Sequence, residues 1–340
     1  MIAASAWGHW ENENVNVRLH REIGWATIRE KLIFGNLDVV QIPAPMAVAV
    51  RLGLGSSPTD VIVPWILNRQ GNAITLSRNL RNQGVTDAAS FGALARSQAP
   101  RKMTFGVVAR HSMHAILLHR WLTSAGLSAE RSLNTVVIPP PQMVRSLEEG
   151  LIDGFCAGEP WNAVAVAEGC GWCAAIGAEI LPRHVEKVLL MRADFALNRA
   201  EELGGLLRGL RSASRRCDSL EGRKELMTLL QKEMDTTAEI LGASLLGPFE
   251  RGDGTSAPSS LFHNFYESEC NNPTQAAAQG VLKQMEACGM IESFEEAESE
   301  LPLLFREDLY RAAFKSSRSR SISAFGKSDK RSGGIALTSN

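Results

Sequence analysis

Two neighbouring stretches decide the fold: Asn134-Thr-Val-Val-Ile-Pro-Pro-Pro-Gln-Met-Val144 and Gly154-Phe-Cys-Ala-Gly-Glu-Pro-Trp-Asn-Ala163. Within them, the short apolar runs 135–138 and 155–157 predict two buried strands, each stopped by prolines or by Gly-Glu-Pro. The residues after each run have the apolar spacing of a helix. Strand, helix, strand and helix joined by tight turns are typical of a parallel sheet. Ligands of such sheets bind off the carboxyl ends of the strands, where these turns lie.

The bulk composition is that of an ordinary soluble globular protein. The chain has 340 residues, of which 44% are hydrophobic and 21% charged, and this length suits two lobes better than one small domain. A formal net charge of −1 argues against nucleic-acid binding through general positive potential. No apolar run approaches the ~18 residues of a membrane span.

The N-terminal residues bear on the compartment. Met1-Ile-Ala-Ala-Ser-Ala-Trp-Gly-His-Trp-Glu11 has no basic start, no long apolar core and no cysteine for a lipid anchor. We therefore predict no signal peptide and a cytoplasmic protein. The six cysteines form no spaced framework, which agrees with a reduced compartment. They are Cys156, Cys170, Cys173, Cys217, Cys270 and Cys288.

Two signals of catalytic or metal chemistry are set aside. Cys170-Gly-Trp-Cys173 has redox-motif spacing, but it follows a predicted helix and leads into a strand, the reverse of the thioredoxin order. His111 and His114 lack accompanying carboxylates, so we expect no metal. The sequence has no nucleotide loop and no nucleophile paired with a base, so we expect neither an enzyme nor a cofactor.

Four motifs give the chain a family resemblance. Pro139-Pro-Pro-Gln-Met-Val144, Gly158-Glu-Pro-Trp-Asn-Ala163, Arg183-His-Val-Glu-Lys-Val188 and Met191-Arg-Ala-Asp194 are similar to those of the nitrate-binding solute receptors. The resemblance covers roughly residues 3 to 312 in one collinear order. That family includes lipoprotein receptors of nitrate and bicarbonate ABC importers. It also has a cytoplasmic branch that senses nitrate and restrains an RNA-binding antiterminator.

The resemblance implies an α/β, two-lobed periplasmic-binding-protein-like fold of type II, with the ligand in the cleft between the lobes. We expect lobe one to contain residues 1–77 and 190–314, and lobe two residues 78–189. Residues 315–340 have few apolar side chains and carry six basic residues against one acidic residue, so we predict a disordered basic tail.

The start of the chain departs from the family pattern. Relatives begin with a strand and a ligand-facing loop before the helix that begins here near Ile2. Either the start was assigned downstream of the real one, or a central strand of lobe one is missing. We favour the first explanation, because an absent central strand would leave unpaired backbone.

Nitrate is a planar anion with three acceptor oxygens, so its site needs a cation and several donors. By motif, the family's tryptophan, amide, histidine and lysine correspond here to Trp25, Asn72, His114 and Lys187. Each also has a structural reading: a core tryptophan, a turn asparagine, a helix-start histidine and a surface lysine. Gln70 is the alternative to Asn72, and His111 is the alternative to His114.

Two further residues are expected to shape the cleft. We assign Pro140 to its wall and Glu159 to its scaffold, since a carboxylate facing nitrate directly would repel it. Glu159 would then orient Lys187 or a backbone group.

These expectations lead to a nitrate- or nitrite-binding protein that acts as a cytoplasmic sensor. The implied partner is an RNA-binding antiterminator, which the ligand-free protein holds and the liganded protein releases. The alternative is the periplasmic receptor of a nitrate ABC importer whose leader is missing from the chain. A third class, an enzyme built on the same fold, would need a histidine or cysteine array that the sequence does not show.

Overall fold

The computed structural model describes residues 1–128, 132–234, 236–315 and 334–339, which form two five-stranded sheets and a short antiparallel pair connected by helices. The strands are β1 (Val17–Arg21), β2 (Val39–Pro43), β3 (Val61–Arg69), β4 (Asn72–Ser77), β5 (Met103–Val107), β6 (Leu133–Val137), β7 (Gly154–Gly158), β8 (Gly171–Ile176), β9 (Val185–Arg192), β10 (Phe249–Glu250), β11 (Ser256–Ala257) and β12 (Ile335–Ser339).

The α-helices among these residues are α1 (Ile2–Ala6), α2 (Trp25–Ile33), α3 (Ala44–Leu52), α4 (Arg78–Asn82), α5 (Ala88–Ser97), α6 (Met113–Ser124), α7 (Pro140–Glu148), α8 (Trp161–Ala167), α9 (Gly177–Ile180), α10 (Ala193–Asn198), α11 (Ala200–Asp218), α12 (Leu220–Met234), α13 (Ala238–Leu245), α14 (Gln275–Ala287), α15 (Phe294–Glu298), α16 (Leu301–Leu304) and α17 (Glu307–Phe314). Short 3-10 turns cover Glu11–Glu13, Ser259–Leu261 and Glu267–Glu269. None of the helices in the described ranges is long and apolar enough to cross a membrane.

The two sheets have the same topology. The first has the order β1-β12-β2-β9-β3, and the second has the order β6-β5-β7-β4-β8. In each, the first three strands are parallel and the fourth runs antiparallel to both of its neighbours. That fourth strand is β9 in the first sheet and β4 in the second. Each of these strands follows a segment in which the chain crosses from the other sheet.

A C-terminal strand completes the first sheet. β12 lies between β1 and β2, parallel to both, in the position that β5 holds in the second sheet. Ile335 and Leu337 are fully buried against the same apolar cluster as Val39 and Trp65. The Thr338 hydroxyl accepts a hydrogen bond from the backbone N–H of Gln41 at 3.2 Å. The first sheet therefore has no vacant central position.

This strand corrects two of our expectations about the chain ends. Residues 335–339 are ordered strand and not disordered tail, whereas residues 316–333 and 340 lie outside the described residues. The expected gap in lobe one is filled by β12. The prediction of disorder was based on the average composition of residues 315–340. That average concealed a short strand pattern, in which Ile335 and Leu337 alternate with small residues.

Two strand predictions were also wrong in their placement. The run 73–76, which we assigned to the end of lobe one, lies in β4 and pairs with β7 and β8 in the second sheet. We therefore propose that the lobes divide near residues 70–71 and 181–184. The run 135–138, predicted as buried, corresponds to the sheet-edge strand β6, in which Asn134, Thr135 and Val137 are exposed.

The two lobes are in contact. One apolar cluster contains Ile42 and Val188 of the first sheet together with Met113 and Phe155 of the second lobe. The Arg120 side chain of α6 donates a hydrogen bond to Gln284 of α14 at 3.0 Å. Both α2 and α6 begin beside this contact, which places their first turns at the cleft.

Replacing Leu337 with glutamate should destabilise the protein by ~3 kcal/mol or more, because it buries an unpaired charge in the centre of the first sheet. Removing residues 334–340 should have a similar or larger effect, since it also unpairs β1 and β2. The measurement is the free energy of unfolding in denaturant. Leu197→Glu is the matched control, because Leu197 is 82% exposed. Equal stability of the Leu337→Glu variant and the control would contradict the assigned position of β12.

Candidate ligand-binding cleft

Lys187 lies on β9, between Pro43 at the end of β2 and Asn68 of β3. Because β9 is an interior strand, the lysine is largely withdrawn from solvent. Its ammonium group stands over the indole ring of Trp25, 5.2 Å from the ring centroid. Lys187 also forms a salt bridge with the adjacent Glu186. The predicted cation therefore lies in the interior of the cleft and is not a surface lysine.

Glu186 is the centre of the site, and the sequence analysis missed it. Its side chain is 2% exposed and accepts hydrogen bonds from Lys187 and from the Asn72 amide, the latter at 2.5 Å. His114 Nε2 lies 3.6 Å from Glu186 Oε1. Burial acts to raise the pKa of Glu186, but the charge of Lys187 and the neighbouring histidines lower it to about 2. Glu186 therefore remains ionised in the folded protein.

His114 is the second residue of α6, whose first turn is capped by the hydroxyl of Ser112. The ring is 1% exposed, and its Nδ1 atom has no hydrogen-bond partner among the described residues. The pKa of His114 is lowered to about 3, and burial is the largest cause. The charge of Lys187 lowers this pKa further, whereas the charge of Glu186 acts to raise it. The histidine is consequently neutral at physiological pH. The alternative, His111, lies on the loop before α6, and burial with Arg110 and Arg29 lowers its pKa.

Trp25 is the first residue of α2, where an extended Gly24 leads into the helix. The indole is buried, and its Nε1–H donor has no acceptor in the part of the chain that the structure describes. A buried unpaired donor is unfavourable unless a ligand or a water molecule accepts its proton. This donor is suited to an oxyanion.

Asn72 is the first residue of β4, and both hydrogens of its side-chain amide are directed at protein acceptors. The Nδ2 group bonds Glu186 and lies 3.5 Å from His184 Nε2. His184 Nδ1 lies 2.8 Å from the Leu181 carbonyl, which can only accept, so Nε2 is the unprotonated nitrogen. Asn72 Oδ1 has no partner among the described residues. The structure shows Asn72 orienting Glu186 and His184, and its direct contact with a ligand stays a prediction.

Gln70, the alternative to Asn72, belongs to the connection between the lobes. Its backbone N–H donates to the His184 carbonyl, and its side-chain oxygen accepts from the Arg183 N–H, both at 3.1 Å. Gln70 and Arg183 both have left-handed backbone conformations, with φ of 61° and 58°. These bonds join the two crossing segments to each other.

Pro140 and Glu159 both stay predicted cleft residues. Pro140 is half-buried at the first position of α7. Glu159 donates its backbone N–H to the Gly71 carbonyl, and its carboxylate accepts from the Ala163 N–H at 3.3 Å in the first turn of α8. Burial raises the pKa of Glu159 to about 7. Of its two expected roles, orienting a backbone group is what the structure shows, because the partner of Lys187 is Glu186.

Cys170 and Cys173 lie between a helix and a strand, in the order predicted from the sequence. Cys170 follows α8, and Cys173 lies within β8. Burial raises the pKa of Cys173 above its ordinary range and also raises that of Cys170. A protonated, buried thiol is a poor nucleophile, which agrees with a structural role.

The chain is similar in sequence to one protein family and to components of anion importers. A family model described as the NMT1-like family matches residues 1–231. The nitrate import ATP-binding protein NrtC of Synechocystis sp. is 31% identical over 297 residues, covering 86% of this chain and 44% of that protein. The bicarbonate transport ATP-binding protein CmpC of Synechococcus elongatus is 35% identical over 258 residues, covering 73% of this chain and 39% of that protein. The chain thus spans less than half the length of these curated relatives.

The fold has a solved counterpart. The crystal structure of the periplasmic nitrate-binding protein NrtA from Synechocystis PCC 6803 superposes with a TM-score of 0.86 at 24% identity. The match covers 92% of this chain and 84% of that one. The predicted α/β, two-lobed binding-protein fold is therefore confirmed.

The Glu186 network should make stability depend on acidity. The folded pKa of Glu186 is about 2, below its ordinary value of 4.5, so its contribution to the free energy of unfolding is complete above pH ~4.5 and is lost as the pH falls to about 2. Between these limits the wild type should lose about 3 kcal/mol more stability than the Glu186→Gln variant. Urea unfolding at several pH values tests this. Glu221→Gln, which changes an exposed carboxylate, should follow the wild type; parallel curves for wild type and Glu186→Gln would contradict the assignment.

Proposed function

The chain belongs to the NMT1-like family, and from this membership and the geometry of the cleft we propose that it binds nitrate or nitrite between its two lobes. One observation carries the proposal: a buried lysine ammonium group lies beside two buried ring nitrogens that have no partners among the described residues. These are Trp25 Nε1 and His114 Nδ1. The first is a donor, and the second becomes one when protonated. A cation with nearby N–H donors is the arrangement that a small oxyanion requires.

The position of these groups suits a binding protein that closes on its ligand. Trp25 and Lys187 belong to the first lobe, whereas His114 and Asn72 belong to the second. An anion held among them would contact both lobes and stabilise the closed arrangement. Nitrate is proposed ahead of bicarbonate on the resemblance of the motifs around Pro140, Glu159 and Lys187 to those of the nitrate-binding solute receptors.

The first candidate role is that of the solute-binding part of an anion importer. It is supported by the relatives, whose names describe nitrate import and bicarbonate transport. In that role the liganded protein delivers its anion to a membrane transporter, and the chain functions outside the cytoplasm.

The second candidate role is that of a cytoplasmic nitrate sensor that controls an antiterminator. It is supported by the resemblance of the cleft motifs around Pro140, Glu159 and Lys187 to a family that includes a cytoplasmic sensor branch. In that role, hinge closure on the anion alters the surface that holds the RNA-binding partner. Neither role requires an enzymatic step.

Lys187→Ala should weaken nitrate binding by about 10- to 150-fold, because a charged hydrogen bond contributes ~1.5–3 kcal/mol. Calorimetric titration with sodium nitrate is the measurement, and circular dichroism checks the fold. Trp25→Phe, which keeps a ring but removes the donor, should also weaken binding. Lys224→Ala is the control, since Lys224 lies on the exposed side of α12. Nitrate affinity within a few-fold of wild type for Lys187→Ala would remove this residue from the site.

The two roles differ in how nitrate affects a partner complex. By thermodynamic linkage, nitrate can weaken the binding of the partner only by the factor by which the partner weakens the binding of nitrate. A sensor should therefore co-purify with the antiterminator without nitrate and separate from it in millimolar nitrate. A Lys187→Ala sensor should hold the partner under both conditions. Absence of any complex, or a complex equally stable with and without nitrate in the wild type, would exclude the sensor role and leave the importer role.

A further inference from the structure

The charges of the cleft cancel among its own side chains. Lys187 is paired with Glu186. Two histidines, His114 and His184, flank this pair. Burial is the largest cause that lowers the pKa of each, so both rings are neutral. The cluster therefore carries one positive and one negative charge and no net charge. An anion added to it would leave an uncompensated buried negative charge, which is strongly unfavourable.

The surrounding groups do not change this balance. The buried thiol of Cys156 faces Glu186, and burial raises its pKa well above the ordinary range, so it remains neutral. Burial lowers the pKa of His263, which lies near both Lys187 and Glu186, to about 4. Arg69 lies near His184, with its guanidinium bonded to the carbonyls of Cys270 and Arg183 and outside the Lys187–Glu186 pair.

His114 has the wrong hydrogen-bond polarity for an anion while it is neutral. Its Nε2 faces the Glu186 carboxylate, which can only accept, so the single ring proton is assigned to Nε2. Nδ1 then carries a lone pair, and this buried atom has no partner in the described part of the chain. A lone pair repels an oxyanion. A second proton on Nδ1 would turn that atom into a charged donor.

We propose that anion binding in this cleft takes up one proton from solvent, which is held on the His114 ring between Glu186 and the anion. The inference rests on the proposed anion-binding function. The anion contacts the new Nδ1–H, while Glu186 keeps its contact with Nε2–H. The liganded cluster then contains two positive and two negative charges, and its net charge is again zero. Glu186 acts as a positioning residue for the imidazolium.

His184 is not the acceptor of this proton. Its Nδ1–H is directed at the Leu181 carbonyl at 2.8 Å, and its Nε2 faces the amide donor of Asn72 at 3.5 Å. Protonating Nε2 would place two donors against each other. His114 is the histidine whose free nitrogen lacks such a conflict.

The coupling fixes the pH dependence of binding. The protein's own groups lower the pKa of His114 to about 3, and a bound anion should raise it at least to the ordinary histidine range near 6.5. Between these limits the free protein must gain a proton to bind, so affinity should rise about tenfold for each unit of decrease in pH. Well above the pKa of the liganded state, the coupling disappears. Glu159, with its pKa of about 7, is protonated at pH 5.5 and adds no uptake there.

The test is calorimetric titration of the full chain with sodium nitrate at pH 5.5 in MES and in piperazine, two buffers with different ionisation enthalpies. The dependence of the observed heat on the buffer gives the number of protons taken up. We expect close to one proton per nitrate for the wild type and for His20→Gln, a control at an exposed histidine of β1. We expect close to zero for His114→Gln, and a value well below one for Glu186→Gln, which keeps the histidine.

The outcomes separate the two proposals. Nitrate binding without proton uptake in the wild type would overturn the coupling and leave the binding function intact, and this result needs no variant to fold. Uptake that persists in a folded His114→Gln variant would also overturn the assignment to His114. Absence of nitrate binding between pH 5.5 and 8 would refute the proposed function and, with it, the coupling.

Discussion

The arrangement of the cleft depends on one buried carboxylate. Glu186 reaches from the first sheet to Asn72 and His114 of the second lobe, and it also holds the adjacent Lys187. A buried charge is tolerated only when each of its hydrogen-bonding positions is satisfied. That requirement fixes the Asn72 amide, the His114 ring and the lysine relative to one another. The geometry of the cleft therefore follows from the need to compensate this single negative charge.

Local sequence patterns predicted the helices that follow the runs 135–138 and 155–157, which are α7 and α8 in the structure, because apolar spacing depends on nearby residues. Which strands pair with each other was harder to predict from the sequence, as the positions of β4 and β12 show. A short apolar run indicates burial, but the neighbouring strands in a sheet are chosen by contacts far along the chain. β12 was obscured further because its few apolar residues follow a long polar segment, and the composition of the whole segment suggested disorder.

The site was only partly visible in the sequence. Motifs indicated Trp25, His114 and Lys187, which the fold brings around Glu186, whereas Glu186 itself escaped notice. Successive residues of a regular strand point to opposite faces, so Glu186 and Lys187 were not expected to meet. The pairing of β9 with β3 is irregular near Lys187, opposite Ile66 to Arg69, which relaxes that alternation. A signal did exist, because a glutamate within an apolar strand needs a partner.

The position of β12 has a consequence for biosynthesis. The second sheet is built from the continuous segment 72–176, so all its strands are available once about half of the chain has been made. The first sheet pairs Val17 with Ile335, partners separated by 318 residues, and cannot close before β12 emerges from the ribosome. Such long-range pairing slows folding, and domains tend to form in the order of synthesis. The second lobe should therefore mature on the ribosome before β12 has been made, and the cleft should be assembled only after β12 has emerged.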